Sequence, residues 1–555
     1  MATGSRATSV ADHLVARIAD EGVDTVFGVD GANIEDVYDA IDRFGPKLRG
    51  IVAKHEFGAA TMADGYARTA NRLGVVVATS GGGALNLVAA LGEAFDSEVP
   101  VLALVGQPPV ALEGRGAFQD TSGEAGTIDA VGLFSHVARF CAKATAANEV
   151  PALLERAIAA AWDGGPAVLL LPKDVQQAAL SATDLAAGPR PLGSATPLRP
   201  AQAAQLEQAE RMLAEAGRVV VIAGPEVARA DARSELEAFA AGLASPVLVA
   251  PDAKDVFRNS HPLFAGVCGI MGHRGGAQAV ADASVCVLAG TRLPLVARGG
   301  LEEALARPRL LHLGARPPLV DVELSVGAPL KTALAALAGS RPDPERPVVL
   351  PSVQPLSVPV KSGPGVSYRE AVAALAERLP PGTDVFADAG NTGASVVHHL
   401  PVPDGGRFVV ALGMGGMGYA FGAGIGGSLA RGRRTFVVAG DGAFFMHGFE
   451  VHTAVEQQAP VTFVVFNNNA HAMCVTREQL YYSGEYSFNR FSEARIGEAV
   501  RALLPWLPSR AARTLAEFEA ALDDTASEPG PVFIAVECDP DEIPPFIPFL
   551  KELTA

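Results

Sequence analysis

The residues best equipped for chemistry lie late in the chain. Gly440-Asp441-Gly442 closes an apolar run at 434–439, and Asn467-Asn468-Asn469 closes a second at 461–466, leaving Asp441 and Asn468 27 positions apart. That separation matches one strand–helix–strand crossover, with residues 445–458 as its helix. A carboxylate and an amide oxygen then stand at the carboxyl ends of parallel strands, the edge where open α/β sheets bind ligands. Oxygen donors suit Mg²⁺, which takes one or two carboxylates and leaves places for water and phosphate oxygens. Gly440 and Gly442 allow a sharp turn and close approach of main-chain N–H groups to a phosphate. Taken alone, the triplet also reads as a strand-to-helix turn with a helix cap.

Three other stretches carry candidate groups. Glu56, in Lys54-His55-Glu56-Phe57-Gly58, follows a strand at 50–53 and opens a helix of small residues; its plain reading is a carboxylate facing a helix dipole. Gly390-Asn391-Thr392 follows another strand end and is also an ordinary turn. The run Leu412-Gly413-Met414-Gly415-Gly416-Met417-Gly418-Tyr419 sets two methionines in a glycine loop, and methionine fills irregular core space equally well.

Stepping outward, the elements that position these groups alternate strand with helix along the chain, which predicts α/β layers built on parallel sheets. Apolar runs ending near glycine recur at 25–28, 75–78, 101–106, 167–171, 219–223 and 285–289, with helical stretches at 56–70 and 150–162. Loop-like composition at 181–200 and a proline-dense stretch at 340–365 read as linkers. The expected organisation is three doubly wound parallel-sheet domains, 1–180, 200–340 and 365–540, followed by an apolar tail, 541–555.

Composition narrows the class. The 555 residues carry 44 basic and 61 acidic side chains, a formal charge of −17, and 49% are hydrophobic. Such a chain buries sizeable cores, and an acidic protein without a basic run is a poor partner for nucleic acid. No apolar run reaches membrane-spanning length, and none resembles a signal core. Cys141, Cys268, Cys286, Cys474 and Cys538 form neither a CxxC pair nor a disulfide framework. A soluble cytoplasmic protein is expected. The 59 glycines ask for tight turns or close approaches of chain to ligand.

The Gly-Asp-Gly…Asn-Asn pattern resembles the diphosphate motif of the thiamine-diphosphate (ThDP) enzymes of the acetohydroxyacid synthase, pyruvate decarboxylase and benzaldehyde lyase superfamily. The resemblance implies ThDP and Mg²⁺ as cofactors, with Asp441 and Asn468 as side-chain ligands and Ala470 as a carbonyl ligand. Gly440, Gly442, Gly390, Asn391 and Thr392 would hold the diphosphate. The Glu56 stretch resembles the superfamily's glutamate motif, whose carboxylate hydrogen-bonds N1′ of the aminopyrimidine so that N4′ can remove the thiazolium C2 proton. Met417 stands where relatives have the apolar wedge under the bent cofactor, with Met414 as the competing candidate, and Gly415 would offer its carbonyl to N4′. The first and third domains would bind pyrimidine and diphosphate, across a subunit interface in the superfamily, which implies a homodimer or homotetramer.

The reaction is read from residues near the expected pocket. Gly31-Ala32-Asn33, Gly81-Gly82-Gly83 with Asn86, and the ending Asp541-Glu542-Ile543-Pro544-Pro545 look like benzaldehyde-lyase-type carboligases. Those carboligases carry histidine where this chain has Asn33, and Ala32 supplies neither the acid nor the histidine that pyruvate decarboxylases place near this loop. Gln119 resembles a polar residue contributed to the site by the neighbouring chain; it also reads as a surface glutamine. His471 could shuttle a proton or serve only the structure, while Met473 and Cys474 would wall the pocket. Arg477 replaces the substrate-selecting tryptophan of acetohydroxyacid synthases and could meet a carboxylate or phosphate. His398 and His399 read as surface residues. In the central domain, residues 266–276, with His273 and Arg274, resemble the place where some relatives hold FAD or ADP; an empty structural domain is the preferred reading. The expectation is a carboligase/lyase making or cleaving acyloins from 2-oxo acids or aldehydes. A 2-oxo-acid decarboxylase or acetolactate-synthase-like enzyme is one alternative, and a non-catalytic ThDP-binding subunit another. The tail would be a lid or a docked terminus.

Overall fold

The computed structural model describes residues 8–185, 199–339, 352–361, 363–485 and 487–553. The first seven residues, most of the expected linker at 181–200 and half of that at 340–365 lie outside the described residues. Among the described residues, eighteen strands form three six-stranded sheets. The first comprises β1 (Thr25–Val29), β2 (Arg49–Val52), β3 (Gly74–Ala78), β4 (Val101–Gln107), β5 (Phe140–Lys143) and β6 (Ala167–Pro172), in the order β2-β1-β3-β4-β6-β5. The second holds β7 (Val219–Ala223), β8 (Val247–Val249), β9 (Phe264–Val267), β10 (Val285–Ala289), β11 (Arg309–Leu313) and β12 (Leu324–Val326), in the order β12-β11-β10-β7-β8-β9. The third holds β13 (Asp384–Ala387), β14 (Phe408–Val410), β15 (Thr435–Gly440), β16 (Val461–Asn467), β17 (Ser509–Ala512) and β18 (Val532–Glu537), in the order β14-β13-β15-β16-β18-β17.

Neighbours run parallel throughout the first two sheets and at β13–β14, β16–β18 and β17–β18 in the third. The expected α/β class with parallel sheets is the one observed. Val-, Leu- and Ile-rich strands such as β3, β4, β7 and β10 are buried along their whole length, as sheets covered on both faces require.

By internal packing the chain forms two compact units. One comprises 1–194, 411–435 and 443–461, the other 195–410, 436–442 and 462–555. In the first unit, the helices Glu56–Ala70 and Tyr419–Arg431 pack with main chains in contact. Glycine makes this possible: a Cβ at Gly65 would come 2.0 Å from the Ala423 carbonyl oxygen, and one at Gly426 would come 1.9 Å from that of Met62.

The helix expected at 445–458 begins earlier and is broken. It runs Asp441–His447, tightens into a 3₁₀ turn at Gly448–Glu450 and resumes at Val451–Glu456. His447 leaves helical geometry at φ −138°, and Gly448 tucks against the Phe444 ring where a Cβ would clash.

In the second unit, His398 corrects the expectation of a surface residue. It lies on the buried face of its helix, its Nδ1 2.9 Å from the Met271 carbonyl oxygen and its Nε2 accepting from the Leu356 N–H. His399 is half-buried and packs edge-on against it, and burial pulls both imidazoles down, to about 4 and about 3. His273 stacks on His398 and accepts from the Val267 N–H, so its ring serves packing within the unit. All five cysteines are unpaired, and no helix among the described residues is long and apolar enough to cross a membrane.

Lys254 is buried in the same unit, donating to the Val396 (3.3 Å) and Leu400 carbonyl oxygens, with its ammonium 4.9 Å from the Phe408 ring centre. Burial pulls its pKa from the ordinary 10.5 to about 7. Between those values the unfolded chain holds a proton that the folded chain has released, so stability rises with pH across that interval. Lys254→Met is expected to flatten this slope in denaturation curves recorded across the alkaline range. At the helix pair, Gly426→Ala is expected to cost about 2–3 kcal/mol or more by overpacking, read from the denaturation midpoint.

Candidate active site

In the first unit, chain segments leaving β1, β2, β3 and β4 gather at the carboxyl edge of the sheet. Gly31 leaves β1 so close to Thr79, beyond β3, that a Cβ would come 2.7 Å from that residue's Cβ. The Asn33 N–H donates to Thr79 Oγ1 (3.2 Å), and its buried side-chain amide donates to Ser80 Oγ (2.7 Å) and the Phe118 carbonyl oxygen (3.5 Å). Gln119 adopts the left-handed conformation at φ +58° and accepts from Thr79 Oγ1 at 3.4 Å. Gly81 (φ +65°) packs against it where a Cβ would sit 2.9 Å from the Gln119 side chain. Ala32 is exposed, its carbonyl oxygen accepting from Lys173 Nζ.

Glu56 opens its helix directly after β2. It is half-buried, accepts from Asn86 Nδ2 at 2.9 Å, and faces Gly83, where a Cβ would lie 3.0 Å from Glu56 Oε1. Ala32, Asn33, Gln119 and Glu56 are thereby grouped around residues 79–86.

The glycine loop at 412–418 belongs to the same unit. Its conformation depends on Glu93, whose carboxylate accepts from the N–H groups of Gly413 (3.4 Å), Met414 (2.6 Å) and Gly415 (3.3 Å). Glu93 is itself buried against Arg68 (3.1 Å) and Ser97 (2.7 Å), and Arg68 also grips Asp64 at 2.6 Å. Asp64 in turn takes the Tyr419 hydroxyl at the far end of the loop. Burial by itself would push the Glu93 carboxyl up; the Arg68 guanidinium and the Met414 N–H overcome this and hold it below its ordinary 4.5. Gly415 sits at φ +65° and Gly418 at φ +85°, a region that side-chain-bearing residues enter at a cost. Met417 is half-buried, while the Met414 side chain is 60% exposed.

In the second unit, the ends of the adjacent strands β13, β15 and β16 bring the other candidates together. Asp441 is buried at the end of β15. One carboxylate oxygen accepts from the Gly442 N–H (2.8 Å) and the other from the Ala470 N–H (3.3 Å). Asn468 Oδ1 accepts from the same Ala470 N–H at 2.9 Å, so both side-chain oxygens converge on one residue. Burial pushes the Asp441 carboxyl up to about 6 despite these N–H donors. Asn468 Nδ2 meets the buried Tyr368 hydroxyl at 2.5 Å, while Asn467 and Asn469 tie the loop to Ala494. Asn391 and Thr392 are buried in the first turn after Gly390, which adopts φ +85°. Asn391 Nδ2 donates to the Glu542 carbonyl oxygen, and its Oδ1 has no partner among the described residues. The Glu542 carboxylate accepts from the Tyr368 N–H, and burial pushes it up to about 7.

This donor set fits a hard cation beside a diphosphate. Buried oxygens meet at Ala470, Asn391 Oδ1 is unsatisfied, and open space surrounds Gly390, where a Cβ would touch nothing within 4 Å. His471 packs edge-on against Phe491 at 4.7 Å and precedes the helix Ala472–Tyr481. Val475, Thr476 and Glu478 form that helix's buried face, while Met473 and Cys474 are half-buried and Arg477 is exposed. The tail helix Ile547–Glu552 packs on it through Phe549 and Tyr481. No role attaches from the sequence to Glu93, Glu542, Tyr368, Asp64 or Arg68, although Glu542 falls within the carboligase-like ending and Asp64 and Arg68 follow the Glu56 stretch. Asp64 and Arg68, four apart on one helix, were the legible pair; the others carry no local signal.

Oxygen donors and glycine turns at the carboxyl edges of parallel sheets define a class, and the chain belongs to it: the thiamine pyrophosphate enzymes. Residues 8–126 match the N-terminal TPP binding domain of that family, 206–337 its central domain and 388–536 its C-terminal TPP binding domain. It is a ThDP-dependent enzyme that forms or cleaves C–C bonds. Among its relatives, the probable acetolactate synthase large subunit of Methanocaldococcus jannaschii is 28% identical, over 97% of this chain and 93% of that protein. The acetolactate synthase isozyme 2 large subunit of Escherichia coli is 27% identical over 97% of both chains. The acetolactate synthase large subunit of Corynebacterium glutamicum is 28% identical over 85% of this chain and 77% of that one.

Because Glu93 is held below its ordinary value, its stabilisation is complete at neutral pH and lost as pH falls through that depressed value. Glu93→Gln places an amide donor among N–H donors and is expected to cost about 1–3 kcal/mol. It should also flatten the acid limb of the stability curve, measured by denaturant titration at a series of pH values.

Proposed function

We propose that this enzyme is a ThDP- and Mg²⁺-dependent carboligase/lyase that forms or cleaves acyloins, 2-hydroxy ketones, from 2-oxo acids or aldehydes. The observation that carries the cofactor reading is the convergence of Asp441 and Asn468 oxygens at Ala470, beside the unsatisfied Asn391 Oδ1. Asp441, Asn468 and the Ala470 carbonyl would hold the metal. Gly440, Gly442, Gly390, Asn391 and Thr392 would hold the diphosphate through main-chain N–H groups and short polar side chains. When bound, ThDP supplies a carbon nucleophile for attack on a carbonyl.

The chain's own groups then orient and move protons. Glu56, supported by Asn86, holds or releases a proton at the aminopyrimidine. Gly415 would present its carbonyl to the aminopyrimidine, and Met417 would pack against the bound cofactor. Gln119 orients a substrate carbonyl or hydroxyl, and His471 transfers a proton. Ala32, Asn33, Met473, Cys474 and Arg477 shape the pocket, with the Arg477 guanidinium suited to an anionic substrate. The working form is a homodimer or homotetramer whose sites draw on two chains, and its place is the cytoplasm.

The relatives' names support a second, narrower reading, an acetolactate-synthase-like enzyme that joins two 2-oxo acids. Against it stands Arg477, where that group carries a substrate-selecting tryptophan. Incubation with ThDP, Mg²⁺ and a panel of 2-oxo acids and aldehydes, followed by mass analysis, separates the readings. Mixed acyloins are expected. Acetolactate from pyruvate alone would favour the synthase, and free aldehyde with CO₂ a decarboxylase. Glu56→Gln is expected to retain the cofactor yet lose most C2–H/D exchange; unchanged exchange would overturn its role.

A further inference from the structure

Among the described residues the Glu56 side chain takes its hydrogen bond from Asn86, and that contact does not fix where its backbone stands. It emerges from a short edge strand, β2, into a turn whose main-chain N–H groups have left the sheet ladder. Those donors are met by a carboxylate from far along the chain but within the same unit. Glu450 accepts from the N–H of Lys54 (3.1 Å) and of His55 (3.0 Å), the two residues immediately before Glu56. Thr453 Oγ1 donates to the other Glu450 oxygen at 2.8 Å and fixes its rotamer.

The surroundings are shaped to this contact. Gly58, one turn into the helix, lies against the Glu450 carboxyl so closely that a Cβ would come 2.2 Å from Oε1. Two neighbours brace the same turn: Lys54 Nζ pairs with Glu456 at 2.6 Å, and Phe57 stacks on His447 at 4.1 Å between ring centres. His55 Nδ1 caps the helix by accepting from the Phe57 N–H. Residues 447–456 thus bracket 54–58, and Glu450 is their only buried carboxylate aimed at the main chain of that turn.

We propose that Glu450 is a positioning residue for Glu56: by clamping the Lys54 and His55 amides it sets where the Glu56 carboxyl stands relative to the bound aminopyrimidine. The inference rests on the role given to Glu56 above. Proton transfer falls steeply with misplacement of the transferring group, so loosening this turn should slow it without abolishing cofactor binding. Glu450→Gln keeps the size but removes the charge and one acceptor oxygen, so its NH2 must face either the Lys54 and His55 amides or the second oxygen's donors, Thr453 Oγ1 and the Lys54 N–H. Thr453→Ala is the gentler variant, freeing the carboxylate to rotate.

The test compares wild type, Glu56→Gln, Glu450→Gln and Thr453→Ala. It measures C2–H/D exchange of bound ThDP, ThDP affinity, and main-chain amide exchange of peptides spanning 53–58 in the protein without cofactor. Glu450→Gln is expected to slow C2–H/D exchange about 10- to 100-fold, with a much smaller change in ThDP affinity and faster amide exchange confined to 53–58. Thr453→Ala should show the same pattern, weaker. Wild-type C2–H/D exchange in Glu450→Gln overturns the proposal while leaving the Glu56 role intact, as does a loss matched by equal loss of affinity and by faster amide exchange throughout the unit. If Glu450→Gln does not fold, an unaltered C2–H/D exchange rate in Thr453→Ala overturns it. If Glu56→Gln exchanges as fast as wild type, the reading of Glu56 fails and the proposal with it.

Discussion

A loop that reaches from the end of a strand toward a ligand abandons the partners of its main-chain amides, and buried amides without partners are costly. In this enzyme buried carboxylates answer them. Glu93 takes three consecutive N–H groups of the glycine loop, Glu450 takes two before Glu56, and in the second unit Glu542 takes that of Tyr368. A carboxylate offers two oxygens with several acceptor directions, so one side chain can stiffen a turn that has no regular hydrogen bonding. The arrangement is stable only when the buried charge is met. Arg68 performs that service for Glu93, and the resulting chain Asp64–Arg68–Glu93 ties both ends of the 412–418 loop to one helix.

The same helix, Glu56–Ala70, carries a second burden. It begins with Glu56, presents Asp64 and Arg68 to the network, and lays Gly65 against the Tyr419–Arg431 helix. A side chain larger than hydrogen at Gly65, Gly422 or Gly426 would drive the helices apart and displace Tyr419, which closes the network through Asp64. Small residues along this helix therefore set the position of a polar cluster, and that plain small-residue sequence is what lets the 412–418 loop be held.

Much of the fold was legible because parallel strands buried on both faces read as short apolar runs, and because Gly-Asp-Gly and the asparagine run mark strand ends by composition. The helices at 56–70 and 150–162 could be read to the residue, since their caps and apolar spacing are local. The break at Gly448 was not, because its cause is the Phe444 ring packed against it in three dimensions. Glu93 and Glu450 stayed hidden for a similar reason: each is an isolated acidic residue whose partners are main-chain amides hundreds of positions away, and amides have no sequence identity to read. His398 and His399 looked exposed because histidine is usually partly so, yet partners at Met271 and Leu356 draw His398 inside. Glycine was read chiefly as turn and ligand approach; its role between two helices surfaced only in the packing.

The way the groups are held separates two tasks. The residues we propose to face the cofactor are fixed through the main chain: Asp441 and Asn468 by the Ala470 amide, Gly415 by Glu93, and the turn before Glu56 by Glu450. Met473, Cys474 and Arg477 instead project from the less buried side of one helix, whose opposite face, Val475, Thr476 and Glu478, is packed. Their side chains can change without disturbing a main-chain clamp. That division lets side chains on a helix face vary while the loops at the strand ends stay locked in buried hydrogen bonds. Arg477 stands on that side: its charge is carried at the exposed face of the helix, away from every clamp described here.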